Sequence, residues 1–203
     1  MRPEEIERAS MAIIERELLE RGLAVLSEVS PIVMRVIHAT ADFDFAGALT
    51  FSEGAAAAGK KALAQGVTVV TDTWMAACGI SKKRMAENGG IVRCYMADED
   101  VALEALERGM TRAAVSMERA AAETPEAVFV VGNAPTALLR LCGLVSEGQV
   151  RPSLIVGVPV GFVNVLESKE VLTKMTGVPW IAARGRKGGS SVAAAIVNAL
   201  LYS

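Results

Sequence analysis

Basic residues and glycines are concentrated just before the last helical segment of the chain. The run Arg184-Gly185-Arg186-Lys187-Gly188-Gly189-Ser190, called here the basic loop, holds three cations and three glycines. The free N–H groups at a helix N-terminus carry positive potential, so we expect this loop to attract anions. It is not a Walker A motif, and no Gly-x-Gly-x-x-Gly dinucleotide turn occurs in the chain. A solvated loop without a ligand would use the same residues.

His38 is the only histidine of the chain and the best candidate for acid–base chemistry. Helical spacing of the apolar residues predicts a helix with Ser30 as N-cap and Pro31 at the first position, ending near His38. The negative end of that helix stabilises an imidazolium, and Asp42 and Asp44 follow closely, so we expect a proton to be held near neutral pH. A general acid needs this state. A structural histidine that ends an apolar helix is the alternative.

Two further loops follow predicted strands. The turn Gly132-Asn133-Ala134-Pro135-Thr136 opens a helix, and its glycine would let the backbone approach a ligand. The loop Gly157-Val158-Pro159-Val160-Gly161-Phe162-Val163-Asn164 combines a flexible backbone with an aromatic side chain and leads to Glu167-Ser168-Lys169. A tight strand-to-helix connection would explain the first loop equally well, and a hydrophobic connector would explain the second.

Composition limits the partners and the type of site. The chain has 203 residues, 52% hydrophobic and 22% charged, and a formal net charge of -2, which predicts one domain spanning 1–203 and gives no reason to expect nucleic acid or a membrane as partner. The acidic N-terminus and the short apolar C-terminal run predict a cytoplasmic protein. Three distant cysteines and a single histidine predict buried reduced thiols and no metal site.

Short apolar strands alternate with helices along the chain. We predict strands at 67–70, 91–95, 128–131, 154–158 and 180–183, and the longest helical segment at 98–123. Parallel strands need crossover connections, and continuous apolar strands are buried on both faces. The predicted fold is therefore α/β, a three-layer sandwich with a mostly parallel central sheet in a single domain. Ligands bind such sheets where strands lead into helices, which is where the three loops lie.

Read in order, these segments resemble the motifs of the precorrin-8X methylmutase family. They are Arg35-Val36-Ile37-His38-Ala39-Thr40-Ala41-Asp42-Phe43, the turn at 132–136, the loop at 157–163 with Glu167-Ser168-Lys169, and the glycine-rich end of the basic loop. Weaker matches are Glu7-Arg8-Ala9-Ser10 and Thr71-Asp72-Thr73. The resemblance spans almost the whole chain, but Met11 stands where the family commonly has an aromatic residue.

The resemblance implies an isomerase that moves a methyl group from C11 to C12 of precorrin-8X or cobalt-precorrin-8, without a cofactor. It implies that His38 protonates the macrocycle. It also implies a homodimer with sites near the interface, and we expect channelling to neighbouring corrin-pathway enzymes. The substrate-binding residues that we expect are Ser10, Arg35, Arg112, Asn133, Pro135, Thr136, Pro159, Gly161, Phe162, Arg186, Lys187, Gly188, Gly189 and Ser190.

The polycarboxylate substrate agrees with the residues themselves, because a corrin precursor needs N–H groups and cations for its carboxylates and apolar walls for its ring. Two rival hypotheses use the same features. A non-catalytic corrinoid carrier would hold the pigment without converting it, so turnover that depends on His38 discriminates between the two. An enzyme for a phosphorylated metabolite would use the basic loop, and selective binding of a nucleotide would support it.

Overall fold

The structure, a computed structural model, describes residues 2–202, apart from the side chains of residues 3 and 4. Within that range the helices are α1 (Pro3–Glu20), α2 (Ser30–Thr40), α3 (Phe45–Ala48), α4 (Ala55–Ala64), α5 (Trp74–Gly79), α6 (Lys82–Glu87), α7 (Glu99–Glu107), α8 (Arg112–Glu123), α9 (Pro135–Ser146), α10 (Val165–Thr173) and α11 (Ser190–Leu201). The strands are β1 (Leu49–Phe51), β2 (Val69–Thr71), β3 (Val92–Arg93), β4 (Val128–Val131), β5 (Leu154–Gly157) and β6 (Trp180–Ala183).

In the described part of the chain these strands form one sheet in the order β1-β6-β5-β4-β2-β3. All neighbouring pairs are parallel except β1 with β6, which is antiparallel. The order reverses between β2 and β4, because β2 is followed by β3 on one side and β4 by β5 and β6 on the other. Such a switch point opens a crevice at the carboxyl ends of the strands.

Helices cover both faces of the sheet, which confirms the predicted three-layer α/β sandwich. Val128 and Val130 of β4 pack into one core with residues of α2, α4 and α11, whereas Phe129 and Val131 pack into a second core with residues of α8 and α9. All four side chains are fully buried. Because successive side chains of a strand point to opposite faces, a strand covered on both sides must be apolar throughout.

The predicted helical segment at 98–123 is wrong as one element, because it consists of two helices. α7 ends at Glu107, and Gly109 then takes a positive φ of 61°. Thr111 starts the next helix by accepting a hydrogen bond from the N–H of Ala114 at 3.2 Å. The break turns the chain back so that α7 and α8 pack against each other.

Other boundaries differ by a few residues. Ser30, expected to cap α2, is its first helical residue, and its hydroxyl contacts the sulfur of Met34 instead of a backbone N–H. Strand β3 is limited to Val92 and Arg93, and the short edge strand β1 directly follows α3, where no strand was predicted. His38 lies in the last turn of α2, as expected.

Two of the three cysteines are buried, as expected, but Cys78 is exposed at the end of α5. Burial raises the pKa of the Cys142 thiol to about 12, so this side chain stays protonated and belongs to the core. Among residues 2–202, no helix combines the length and the apolar character required to cross a bilayer.

Candidate active site at the carboxyl edge of the sheet

A buried carboxylate organises the turn after β4. Asp72, which follows β2 and is fully buried, accepts hydrogen bonds from the backbone N–H groups of Gly132, Asn133 and Ala134 at 2.9, 2.8 and 2.7 Å. Burial raises the pKa of Asp72, and the three N–H donors oppose that shift. The turn therefore cannot offer these N–H groups to a ligand, and its exposed contribution is the side chain of Asn133.

Glycine at position 132 is needed for packing, not for access of a ligand. A Cβ atom there would lie 2.9 Å from the Cα and 3.0 Å from the N of Ser190, at the start of α11. The hydroxyl of Ser190 is hydrogen-bonded to that of Thr73 at 2.8 Å, and Thr73 also caps α5. The ends of β2 and β4 and the N-terminus of α11 are thus joined directly, and the Ser190 side chain, predicted to bind substrate, is largely buried in this junction.

The loop after β5 touches the end of the basic loop. The N–H of Gly189 donates to the carbonyl of Val158 at 2.9 Å, and a Cβ on Gly188 would overlap that same carbonyl oxygen. Pro159 is buried and Gly161 half-buried in this contact. These four predicted residues therefore fix the shape of the site, and the side chains beside them are left to face a ligand.

Phe162 and Arg186 form the exposed part of this contact. The Phe162 side chain is 82% exposed, and the guanidinium carbon of Arg186 lies 5.2 Å from the centre of its ring. A cation over an aromatic face is attracted by the ring quadrupole. The pair offers an apolar surface beside a positive charge, which suits a planar molecule that carries carboxylates.

Lys187 connects the basic loop to the segment that follows His38. Its Nζ lies 2.7 Å from Oδ2 of Asp42 and also contacts Asp44. Both carboxylates that the sequence places near His38 thus accept hydrogen bonds from Lys187. The two carboxylates balance the charge of Lys187, and the ion pairs hold the basic loop close to the end of α2.

The His38 side chain is exposed at the end of α2. The chain leaves the helix through Ala41, whose φ is 53°, and its N–H bonds to the carbonyl of Ile37 at 2.7 Å. The hydroxyl of Thr40 bonds to the carbonyl of Val36, which closes the last turn. The exposed imidazole is therefore carried by a helix end whose last turn is closed by hydrogen bonds.

Arg112 and Thr136 lie on the far side of the turn after β4. The Thr111 hydroxyl donates to the hydroxyl of Thr136 at 2.9 Å, and exposed Arg112 is the next residue of the chain. Pro135 starts α9 beside this contact. The structure thus joins the start of α8 to the start of α9 through the two threonine hydroxyls.

Ser10 and Arg35 lie on α1 and α2, outside the loop cluster. Arg35 is one turn before His38 on α2, and its guanidinium pairs with Glu7 of α1 at 2.7 Å. Ser10 is one turn after Glu7 on α1 and is half-buried. Arg35 also lines a cavity of about 570 Å³ between α1, α2 and the end of α11. The Arg35 guanidinium carbon lies 5.8 Å from the ring centre of Tyr202, which follows the C-terminus of α11, whereas the basic loop precedes the N-terminus of that helix. The structure therefore does not bring these two predicted residues to the loop cluster.

A separate cavity of about 680 Å³ runs beside β1 and contains none of the predicted site residues. Its lining includes Glu28, Glu53 and Arg184, which bring charges of both signs. The predicted residues of the loops after β4, β5 and β6 lie instead at the carboxyl edge of the sheet.

Sequence reasoning quoted Asp72, Thr73 and Lys169 only within the motifs of the family resemblance and did not select them as site residues. Asp72 and Thr73 directly follow β2, and polar residues after a buried strand are a signal that could have identified them. Lys169 is buried in α10, and its Nζ donates to the carbonyls of Gly185 and Lys187 at 2.8 Å each. Only the folded chain brings it to the basic loop.

Comparisons with known proteins agree on one family. The family model for precorrin-8X methylmutase matches residues 5–203. A cobalt-precorrin-8 methylmutase of Priestia megaterium is 44% identical over 200 residues, covering 98% of this chain and 88% of that protein. A precorrin-8X methylmutase of Pseudomonas aeruginosa is 42% identical over 196 residues, covering 96% and 93%.

A solved structure extends the likeness to the fold. The crystal structure of a precorrin-8X methyl mutase from Thermus thermophilus superposes with a TM-score of 0.90 at 38% identity, covering 98% of this chain and 95% of that one. Relatives named cobalt-precorrin-8 methylmutase and precorrin-8X methylmutase thus align with this chain at similar identity.

Proposed function

This chain belongs to the precorrin-8X methylmutase family, and we propose that it moves the methyl group at C11 of precorrin-8X or cobalt-precorrin-8 to C12, with His38 as the general acid. As a methylmutase it is an isomerase of cobalamin biosynthesis. The product is hydrogenobyrinate, or cobyrinate when cobalt is already present.

The proposed reaction needs one proton, which His38 donates to the macrocycle and which the macrocycle releases again at the end. His38 protonates the macrocycle, the bond from the methyl carbon to C11 breaks as the bond to C12 forms, and the ring then gives a proton back. Substrate and product are isomers, so electrons and atoms balance within the substrate. The exposed position of His38 at the end of an ordered helix supports this role, because a general acid must reach the reacting ring while its own position is fixed.

Binding is assigned to the loops around His38. We assign the substrate carboxylates to Arg112, Arg186 and Lys187, and one face of the ring to Phe162. The observation that carries the proposal is the contact between Lys187 and Asp42, which places the basic loop beside the segment carrying His38. A polycarboxylate ring that spans this edge would meet cations, an apolar surface and the acid together.

The rival carrier function is separated from the mutase by following the methyl carbon. Precorrin-8 labelled with ¹³C in its C11 methyl group is incubated with the protein, and the product is examined by NMR. The proposal predicts that the label moves to a methyl resonance of C12. A bound pigment whose label stays at C11 would contradict the proposal and favour the carrier.

Substrate that is labelled both in the C11 methyl group and in the macrocycle is then mixed with unlabelled substrate. The distribution of the two labels in the product tests whether the methyl group moves within one molecule. The proposal predicts that no label passes between molecules, because the same carbon leaves C11 and arrives at C12. Crossed products would show release of a free one-carbon fragment and would contradict the proposed course of the reaction.

We also propose a homodimer and a cytoplasmic location. Val163 is 77% exposed beside the site, and a second copy would shield such an apolar side chain from water. Buried thiols such as Cys94 suit a reducing compartment. Light scattering coupled to size-exclusion chromatography tests the dimer, and a single-chain mass at micromolar concentration would contradict it.

A further inference from the structure

Lys169 is a buried cation that donates hydrogen bonds to the backbone of the basic loop. The residue is 4% exposed in α10. Its Nζ donates to the carbonyl oxygens of Gly185 and Lys187 at 2.8 Å each, which are two residues apart. One buried ammonium group therefore bridges two backbone carbonyls in the middle of the loop.

Burial of this ammonium group lowers the free energy of unfolding at neutral pH. Burial lowers the pKa of Lys169 from 10.5 to about 8, so the unfolded chain binds the proton more tightly than the folded chain. By linkage, the free energy of unfolding rises as pH increases from about 8 to 10.5, and below about 8 the full penalty applies. The charged groups that line the adjacent cavity are Glu170 of α10 and Arg184 after β6. An apolar side chain at this position would avoid the penalty.

We infer that Lys169 is a positioning residue for substrate binding, which holds the basic loop in the conformation that presents Arg186 and Lys187. The inference rests on the proposed function, because it assigns these two side chains to the substrate carboxylates. The carbonyl of Lys187 bonds to Lys169, and the side chain of Lys187 bonds to Asp42. Lys169 is thus connected through one residue to the segment that follows His38.

The contacts predict a local effect when this lysine is lost. Gly185 and Lys187 are exposed, so water can replace the ammonium at their carbonyls without opening the core. The loop is also held by the N–H of Gly189 on Val158 and by the N–H of Gly161 on Arg186. Loosening the loop should therefore expose these two amides while the sheet stays intact.

Lys169→Met tests the inference in the free protein, with Lys174→Met as the control. Lys174 lies just after α10 and is 78% exposed, so its loss removes a lysine without touching the loop. Amide hydrogen exchange is measured at Gly161 and Gly189. We expect faster exchange at both amides in Lys169→Met, unchanged exchange in Lys174→Met, and an unchanged melting temperature or a higher one.

Binding is measured in a His38→Ala background, which removes the proposed acid and prevents conversion of the pigment. Cobyrinate is the probe, and its Kd is read from the visible spectrum. Loss of charge-assisted hydrogen bonds that order the loop should raise the Kd about tenfold in Lys169→Met. Lys169→Arg keeps charged donors and should restore most of the affinity.

The pH dependence of this Kd adds a readout that packing alone would not change. With Lys169 present, the Kd should rise between pH 7 and pH 9 as the ammonium loses its proton. Asp42 raises the pKa of Lys187, so that residue stays charged in this interval. In Lys169→Met the rise should disappear.

Three results would overturn the inference: unchanged exchange at Gly161 and Gly189, a Kd within twofold of the parent, or global unfolding of Lys169→Met, which would show a purely structural role. Its failure is distinguishable from failure of the proposed function. If the parent protein does not bind cobyrinate, the proposed function is contradicted, and the exchange data still decide whether Lys169 holds the loop.

Discussion

The Nζ atom of Lys187 lies 2.7 Å from Oδ2 of Asp42, and this ion pair joins the basic loop to the segment after His38. The hydrogen bond from Lys187 lowers the pKa of Asp42, and the same bond raises the pKa of Lys187. Asp44 accepts a further bond from the same ammonium. Two carboxylates therefore balance the charge of one cation at a place where we propose that an anionic substrate binds.

Asp44→Asn should tighten binding of the polycarboxylate product. The Asp44 side chain is 75% exposed and Asp42 alone can hold Lys187, so the substitution removes one negative charge and keeps the loop in place. We expect Kd to fall about two- to fivefold at low ionic strength and the difference to vanish near 1 M salt. Spectral titration of cobyrinate at the two salt concentrations checks this.

Asp100→Asn is the matched control for that experiment, because Asp100 also forms an exposed ion pair, with Arg119 at 2.6 Å, but lies on α7. Its Kd should equal that of the wild type at both salt concentrations. Tighter binding by Asp44→Asn that persists in 1 M salt would contradict the electrostatic explanation.

Gly132→Ala should destabilise the junction of the turn after β4 with α11. The new Cβ would lie 2.9 Å from Ser190 Cα and 3.1 Å from Ala193 Cβ, and backbone atoms cannot move aside easily. Overpacking of this kind lowers the free energy of unfolding by about 1–3 kcal/mol. Denaturant unfolding followed by circular dichroism measures the change.

Gly143→Ala supplies the comparison within the same region of the chain. Gly143 lies inside α9, and a Cβ there meets only flexible side-chain atoms at 3.6 and 3.8 Å. Alanine is the better helix former, so stability should rise by about 0.5–1 kcal/mol. Equal effects of the two substitutions would mean that the contact between Gly132 and Ser190 does not constrain the fold.

Phe162→Ala should weaken binding and leave stability unchanged. The side chain is 82% exposed, so truncation opens no cavity and the free energy of unfolding should stay within about 0.5 kcal/mol. If the ring stacks on the macrocycle, Kd should rise about tenfold. Leu106→Ala, at an 80% exposed position on α7, should change neither quantity. A wild-type Kd in Phe162→Ala would remove this residue from the proposed site.

The main elements were predictable because their signals are local. Val128 to Val131 are apolar throughout, which is what a strand covered on both faces requires, and Ser30-Pro31 with helical spacing placed His38 in the last turn of α2. The break between α7 and α8 was missed because alanines continue on both sides of Gly109. Strand β1 was missed because three residues carry too little periodicity.

The hydrogen-bond partners of the inner supports could not be predicted, because these bonds join residues that are distant in sequence. Asp72 bonds to a turn 60 residues away, and Lys169 bonds to carbonyls 16 and 18 residues away. The sequence shows a polar residue after a strand and a lysine in a helix, but not the direction in which either side chain points. For the same reason Gly132 was explained by access of a ligand, whereas the folded chain uses it for close packing.

The most direct test of the central claim is conversion by His38→Ala. Purified wild-type and substituted proteins are mixed with precorrin-8 and with its cobalt form, and both the pigment spectrum and the chromatographic identity of the product are followed. Loss of a general acid should lower kcat by about 10²- to 10⁴-fold, while Kd for cobyrinate stays within about threefold of the wild type. Conversion by His38→Ala at the wild-type rate would contradict the account.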